Sequence, residues 1–202
     1  HCDAVQAHAG SYIGLVEVGV GIIPVWGGCK EMLVRGLTDR RGGFLSGGAM
    51  PVISKLFQTI GLARVSRSAA QAFELGFLRD GDRISANRDR LLADAKARAL
   101  ELAENYQAPE PREIKLPGKS ARVALMMAVR GLAKTRKATK HDITVVDQLG
   151  IVLTGGKTDS TDAVSEDDLS ALERQALATL ARNPLTIARM EHMLETGKPL
   201  RN

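Results

Sequence analysis

Apolar residues recur at helical spacing over most of the chain and alternate with polar residues only in short stretches. Spacings of three and four residues predict α-helices, and brief runs with β-branched residues predict strands. Helices are predicted at 29–37, 51–60, 68–75, 88–106, 120–137, 140–153, 166–182 and 184–196. Short extended stretches are predicted at 3–7, 11–15, 64–66 and 83–85. The pattern therefore predicts an α/β protein that is rich in helices and has few, short strands.

Residues with capping side chains mark the start of several predicted helices. Thr139 and Ser165 each stand three residues before an aspartate, which is the spacing of a capping box. Asn87 is a good N-cap for the long helix that follows it. Asn183 caps a further helix, which has Pro184 at its first position.

Residues 107–119 interrupt the helical pattern. The segment carries Pro109, Pro111 and Pro117, and a proline cannot donate the backbone hydrogen bond that a helix interior requires. We therefore expect an extended connector here and not a helix. The predicted organisation is a first domain at 1–106, a proline-containing linker at 107–119 and a helical C-terminal region at 120–202.

Composition narrows the classes of function. The 202 residues are 44% hydrophobic, which is enough to bury a core, but aromatic residues make up only 3%, which favours packing between aliphatic helices. The net charge is +5, but Lys and Arg alternate with Asp and Glu along most of the chain and do not form one basic block. Few aromatic side chains are available to stack on bases. A nucleic-acid partner is therefore not predicted.

Cysteine and histidine usage adds little chemistry. Two cysteines do not make a disulfide framework, which is typical of a cytoplasmic protein. No leader peptide and no apolar run of about 18 residues is present, so neither secretion nor a membrane span is predicted. The four histidines lack the spacing of metal ligands, and no metal site is predicted.

Three partial motifs each fail at one position. The run GGKT at 155–158 lacks the earlier glycine of a phosphate-binding loop, because Ile151 stands there. Pro24 occupies the place of the third glycine in a dinucleotide-binding fingerprint. Ser46 lacks the preceding glycine of a hydrolase elbow, because a phenylalanine stands there.

Glu17 is the main candidate for chemistry. It lies in an apolar run, with Leu15 and Val16 before it and Val18 and Val20 after it, and a glycine-dense turn follows. Loss of hydration raises the pKa of a carboxyl group toward the range in which it can both donate and accept a proton. The alternative is a carboxylate at the rim of a sheet with its charge in water.

Neighbouring segments carry a family pattern. The matching residues are IGLVE at 13–17 and VGIIPVWGG at 20–28, with further matches at Cys2-Asp3 and at SAAQAFELGF, 68–77. These segments resemble the crotonase (enoyl-CoA hydratase/isomerase) superfamily, which has Phe-Gly-x-Pro-Glu followed by Leu-Gly-x-Ile-Pro-Gly-x-Gly-Gly. After residue 107 the resemblance to the general family pattern fades.

The resemblance implies the C-terminal part of a crotonase-like fold, followed by a helical tail. Glu17 matches the family glutamate that delivers a proton to the α-carbon when a trans-2-enoyl-CoA is hydrated. Val25 stands where the family usually has glycine, near the reacting water, and Trp26 is expected either to wall the acyl pocket or to serve in the core. The implied substrate pocket comprises Gly14, Pro24, Val25, Trp26 and Gly27.

The resemblance also implies that the active site is incomplete in this sequence. The family's second glutamate and both N–H donors for the thioester enolate would lie before His1, where the chain enters in the middle of an element. Each donor is worth about 10²–10³ in rate, so the chain alone is expected to be inactive toward crotonyl-CoA. Strand edges without neighbours should also make it prone to aggregation.

The final segment, 185–202, resembles the end of bacterial proteins that join 3-hydroxyacyl-CoA dehydrogenase to an enoyl-CoA hydratase-like module. This resemblance implies fatty-acid β-oxidation, an acyl-CoA thioester substrate and a homo-oligomeric full-length protein. No cofactor is expected in this chain, and NAD is expected for the dehydrogenase module. The alternative is a non-catalytic acyl-CoA-binding or scaffold module of the same fold.

Overall fold

The computed structural model describes residues 2–38, 48–134 and 138–202. Within those ranges the helix-rich α/β prediction is confirmed, because eight α-helices accompany four strands of three residues each. Ser46 and the loop that contains it lie outside the described residues, as do His1 and the predicted helical residues 135–137.

The helices are α1 (Gly28–Thr38), α2 (Met50–Gly61), α3 (Ala69–Leu75), α4 (Leu91–Ala103), α5 (Gly118–Lys134), α6 (Lys140–Leu153), α7 (Glu166–Ala181) and α8 (Pro184–Thr196). The strands are β1 (Gln6–His8), β2 (Arg83–Ser85), β3 (Glu113–Lys115) and β4 (Ala163–Ser165). Two 3₁₀ turns are formed by Glu17–Val20 and Arg88–Arg90.

The chain forms two compact units, each discontinuous in sequence. The first unit comprises residues 2–14 and 65–111, and the second comprises residues 15–64 and 112–202. In the first unit, β1 and β2 pair in parallel with Ala7 opposite Ile84. Asp82 holds this pair together, because its carboxylate accepts the backbone N–H of Val5 at 2.8 Å.

The second unit is built around α6, which packs against α1, α2, α5 and α7. Its buried face carries Val145, Leu149, Val152 and Leu153, each at most 1% exposed. Complete removal of aliphatic side chains such as these from water is worth roughly 1.5–3 kcal/mol each. Helix α6 is therefore the centre of the core of this unit.

Residues 107–117 contain no helix, which agrees with the extended segment predicted from the prolines, but the predicted segment ran to residue 119 and α5 already begins at Gly118. The segment is more than a connector, because its residues 113–115 form β3 and pair antiparallel with β4. The division at 1–106, 107–119 and 120–202 stays a prediction.

Two local predictions differ in detail from the structure. The extended stretches predicted at 11–15 and 64–66 meet in a single isolated bridge between Gly14 and Val65, next to which the Ser66 hydroxyl accepts the Ile13 N–H at 3.0 Å. The side chain of Asn87 caps the 3₁₀ turn Arg88–Arg90, so that α4 begins only at Leu91 and ends at Ala103.

The capping boxes predicted at Thr139 and Ser165 are both present. The Thr139 hydroxyl accepts the Asp142 N–H at 3.0 Å, and the Asp142 carboxylate accepts the Thr139 N–H at 2.8 Å. Ser165 and Asp168 form the same reciprocal pair at the start of α7. Each box satisfies two backbone donors that the first turn of a helix otherwise leaves unpaired.

We expect Ser165→Ala to lower the free energy of unfolding by about 1 kcal/mol, because the Asp168 N–H would lose its acceptor. Urea unfolding followed by circular dichroism measures this change. Ser170→Ala is the matched control, since Ser170 lies inside the same helix and its hydroxyl only donates to the Glu166 carbonyl. Equal midpoints for the two variants would contradict the role of the cap.

Candidate functional site

Glu17 is the first residue of the 3₁₀ turn Glu17–Val20, and it is half-buried. Its Oε2 atom is buried and accepts no hydrogen bond from the residues that the structure describes. Unsatisfied buried polar atoms are few in native proteins, and catalytic groups are one of the settings in which they occur. Glu17 therefore presents a carboxylate oxygen that the surrounding protein does not stabilise.

Close contacts hold the segment between this 3₁₀ turn and α1. The Glu17 carbonyl accepts the Ile22 N–H at 3.3 Å, and the buried carbonyl of Pro24 accepts a hydrogen bond from the Cys29 thiol at 3.1 Å. A Cβ atom on Gly28 would lie 2.7 Å from the Pro24 Cβ. Glycine is therefore required at position 28 if Pro24 keeps its place.

Trp26 and Gly27 adopt positive φ angles, 62° and 89° respectively. The left-handed region is ordinary for glycine but uncommon for a bulky residue such as tryptophan. The Trp26 side chain is 89% exposed, whereas Gly27 is buried. Trp26 is thus not a core residue.

A buried acid on α7 holds this turn. Glu173 is 1% exposed, and its Oε2 accepts the Gly27 N–H at 2.8 Å while its Oε1 accepts the Lys30 N–H at 2.7 Å. Both N–H groups belong to the N-terminal end of α1, where the helix dipole favours a negative charge. Burial nevertheless raises the pKa of Glu173, against the opposing effect of these N–H groups and of the Lys30 charge.

Lys30 and Glu166 form an ion pair next to Glu173. The Lys30 ammonium lies 2.8 Å from Glu166 Oε2 and 2.9 Å from Glu31 Oε1. Burial acts to lower the pKa of Lys30, but the hydrogen bonds to the two glutamates outweigh it and raise that pKa. Helices α1 and α7 are therefore joined at both a buried carboxylate and a charged pair.

The thiol of Cys29 lies close enough to two acidic side chains, Glu173 and Glu17, to be affected by their negative charges. Its side chain is fully buried, and burial raises the pKa of the thiol, with further increases from the negative charges of Glu173 and Glu17. A thiol that keeps its proton is a weak nucleophile. Cys29 accordingly acts as a hydrogen-bond donor to Pro24, and both carboxylates exert an electrostatic effect on the same sulfur atom.

A second buried contact fixes the other end of the segment. The Thr186 hydroxyl donates its only hydrogen to the Gly21 carbonyl at 2.9 Å, so it must accept from His141 Nε2, which lies 2.9 Å away. His141 is then the neutral Nε2–H tautomer, and its Nδ1 lone pair is buried without a partner among the described residues. A Cβ atom on Gly21 would lie 3.1 Å from both His141 Nε2 and Thr186 Oγ1.

The structure places the predicted site residues in two groups. Gly14 belongs to the first unit, where it bridges to Val65. The other predicted residues belong to one segment of the second unit: Glu17, Pro24, Val25, Trp26 and Gly27. Their roles in catalysis and substrate binding stay predictions.

Glu173 and His141 were not predicted as site residues from the sequence. Glu173 could have been found, because it interrupts the apolar stripe of α7 formed by Leu169, Ala176 and Leu180, all buried. An isolated acid at an interior helical position must have a partner. No comparable signal identifies His141, since its partner Thr186 is 45 residues away.

The described parts of the chain contain no group of three or more His, Cys, Asp or Glu side chains that could hold a metal ion. None of the described helices combines the length and the apolar character of a membrane-spanning segment.

Comparison with known proteins gives two relatives. A protein of Bacillus subtilis (strain 168) named "Probable 3-hydroxyacyl-CoA dehydrogenase" is 39% identical over 199 residues, which is 98% of this chain and 24% of the relative. A protein of Rickettsia felis, named provisionally as a "fatty acid oxidation complex trifunctional enzyme", is 26% identical over 187 residues, or 90% of this chain and 22% of the relative. The chain thus spans about a quarter of the length of the curated relatives it matches. No protein-family model and no solved structure matches the chain.

The His141 contact predicts a loss of stability in mild acid. Burial and then the Arg189 charge hold the pKa of His141 below its ordinary value of 6.5 in the folded state, outweighing the opposing effect of Asp142. The unfolded chain therefore binds more protons as the pH falls below 6.5, and the free energy of unfolding decreases from there down to the folded pKa. Above 6.5 this contribution is fully present.

Urea unfolding at a series of pH values from about 7 to about 5 tests this expectation. His141→Gln keeps an N–H donor for Thr186 but cannot titrate, so its unfolding free energy should depend less on pH than that of the wild type. Identical pH dependence in the two proteins would show that His141 does not contribute.

Proposed function

We propose that this chain is part of an enzyme of fatty-acid oxidation that hydrates trans-2-enoyl-CoA to 3-hydroxyacyl-CoA, with Glu17 as the acid/base residue. The observation that carries the proposal is the buried, unpartnered Oε2 of Glu17 beside the glycine turn. The names of the two relatives support the metabolic setting, and the resemblance of residues 13–28 to the crotonase superfamily supports the reaction.

Hydration adds the oxygen of water to the β-carbon and a proton to the α-carbon of the enoyl thioester. A carboxyl oxygen that accepts no protein hydrogen bond is available for a proton or for a water molecule, which is the requirement for the residue that serves the α-carbon. The crotonase resemblance assigns the water-activating glutamate and the enolate-binding N–H groups to residues outside this sequence. The proposal therefore concerns the full-length protein as the organism makes it.

The proposal includes three properties of the full-length protein. These are a location in the cytoplasm, assembly as a homo-oligomer and oxidation of 3-hydroxyacyl-CoA with NAD. The segment that begins at Gly19-x-Gly21 does not match a dinucleotide fingerprint, because Pro24 stands where the third glycine is required. No step of the proposed hydration involves NAD.

The second candidate is a non-catalytic acyl-CoA-binding module. Val25 favours it, because this residue stands where the hydratases have glycine near the reacting water, and the exposed Trp26 next to it could contact a ligand without any chemistry. A binding module would keep its affinity for acyl-CoA when Glu17 loses its charge, and it would not turn over.

Glu17→Gln in the full-length protein should lower kcat for crotonyl-CoA hydration by about 10²–10⁴-fold, because an amide cannot transfer the proton. The loss of ultraviolet absorbance of the conjugated thioester measures the rate. Glu195→Gln, an exposed position on α8, removes the same charge and should leave the rate unchanged. Absence of hydration in the wild type, with acyl-CoA binding intact by calorimetry, would favour the binding module.

A further inference from the structure

We propose that Glu173 is a positioning residue, which fixes the Trp26-Gly27 turn and thereby the geometry beside Glu17. This inference rests on the proposed function, since it assigns a second acid to the same site. It goes beyond that function because Glu173 lies on α7, 146 positions along the chain from Gly27 and outside the segments that resemble the crotonases.

The contact is bidentate. Glu173 uses one carboxylate oxygen for the Gly27 N–H at 2.8 Å and the other for the Lys30 N–H at 2.7 Å. The first N–H lies in the turn and the second in the first turn of α1. One rigid carboxylate therefore sets the distance between the turn and the helix that follows it.

Only an acid can satisfy both donors. A glutamine has the same shape, but it would offer one carbonyl oxygen and turn an NH₂ group toward the other N–H. The ionised carboxylate also matches the positive end of the α1 dipole. The pair of donors explains why an acid is tolerated at a position that is 1% exposed.

We call the contacts of Glu173 with the Gly27 and Lys30 N–H groups the clamp. A series of short contacts links the clamp to Glu17. Gly28 packs against Pro24, and the Cys29 thiol donates to the Pro24 carbonyl at 3.1 Å. At the other end of the segment, the Ile22 N–H donates to the carbonyl of Glu17 at 3.3 Å. Movement of the turn is therefore transmitted to the residue proposed to carry the proton.

Trp26 gives a direct readout of the clamp. Its φ of 62° is unfavourable for tryptophan, and strain of this kind persists only where neighbouring residues are firmly held. The adjacent Gly27 N–H is the group that Glu173 holds. Loss of the clamp should let Trp26 return to an ordinary backbone conformation and move more freely.

The test uses three variants of the full-length protein. Glu173→Gln removes the charge and one acceptor, and Glu173→Met fills the same buried space without any acceptor. Asp167→Asn is the control, because it removes a charge from an exposed position on the same helix. Both Glu173 variants leave the Gly27 and Lys30 N–H groups without one or both acceptors, so circular dichroism first establishes which variants are folded, and each folded variant tests the proposal.

Fluorescence anisotropy of Trp26 is the first measurement, calculated from the polarised emission of each protein after subtraction of the emission of the same protein carrying Trp26→Phe. Both Glu173 variants should lower the anisotropy, and Asp167→Asn should not. The second measurement is crotonyl-CoA hydration per folded molecule, for which kcat/KM should fall by about 10- to 100-fold in both Glu173 variants.

The outcomes separate the two proposals. Wild-type anisotropy and wild-type kcat/KM in folded Glu173→Met would overturn the positioning role and leave hydration by Glu17 intact. No hydration by the wild type would overturn the proposed function, whereas the anisotropy would still decide whether Glu173 holds the turn. Lower anisotropy with unchanged kcat/KM would show that the turn does not govern the reaction, and would also contradict the proposal.

Discussion

The conformation of segment 17–30 in the second unit depends on the buried carboxylate of Glu173, which extends from α7 to the start of α1. Removing a charge from water is costly, and Glu173 offsets that cost with two backbone N–H donors and a nearby lysine. Because both donors belong to the turn and to the first residues of α1, the same contacts that stabilise the acid also define the turn.

The two ends of the segment 17–30 are held by different chemistry. The C-terminal end is fixed by charge, through Glu173 and the Lys30–Glu166 pair. The N-terminal end is fixed by two hydrogen bonds between neutral groups. His141 donates to the Thr186 hydroxyl, and that hydroxyl donates to the Gly21 carbonyl. Glu17 lies at the N-terminal end of this segment, and no described residue donates a hydrogen bond to its Oε2 atom. The segment is thus rigid at its attachments while its carboxylate remains available.

Local features of the fold could be predicted from sequence, and distant contacts could not. The capping boxes at Thr139 and Ser165 involve residues three positions apart, so the sequence contains all the information that they need. Short extended stretches were predicted on both sides of the bridge between Gly14 and Val65, but their contact was not, because Ser66 is more than fifty residues from Ile13. For the site, Glu17 and its turn were identified from their neighbours and a family resemblance, but Glu173 contacts Gly27 across 146 positions. Rules based on the spacing of residues along a helix or strand cannot predict a contact at this sequence separation.

That separation bears on the order in which the protein folds. During synthesis the chain leaves the ribosome from its N-terminus, so the glycine turn is made long before α7 exists. Closing a loop of 146 positions carries an entropic cost, and contacts of this range form late and slow the folding of a domain. The turn beside Glu17 can therefore acquire its final conformation only after most of this sequence has been translated.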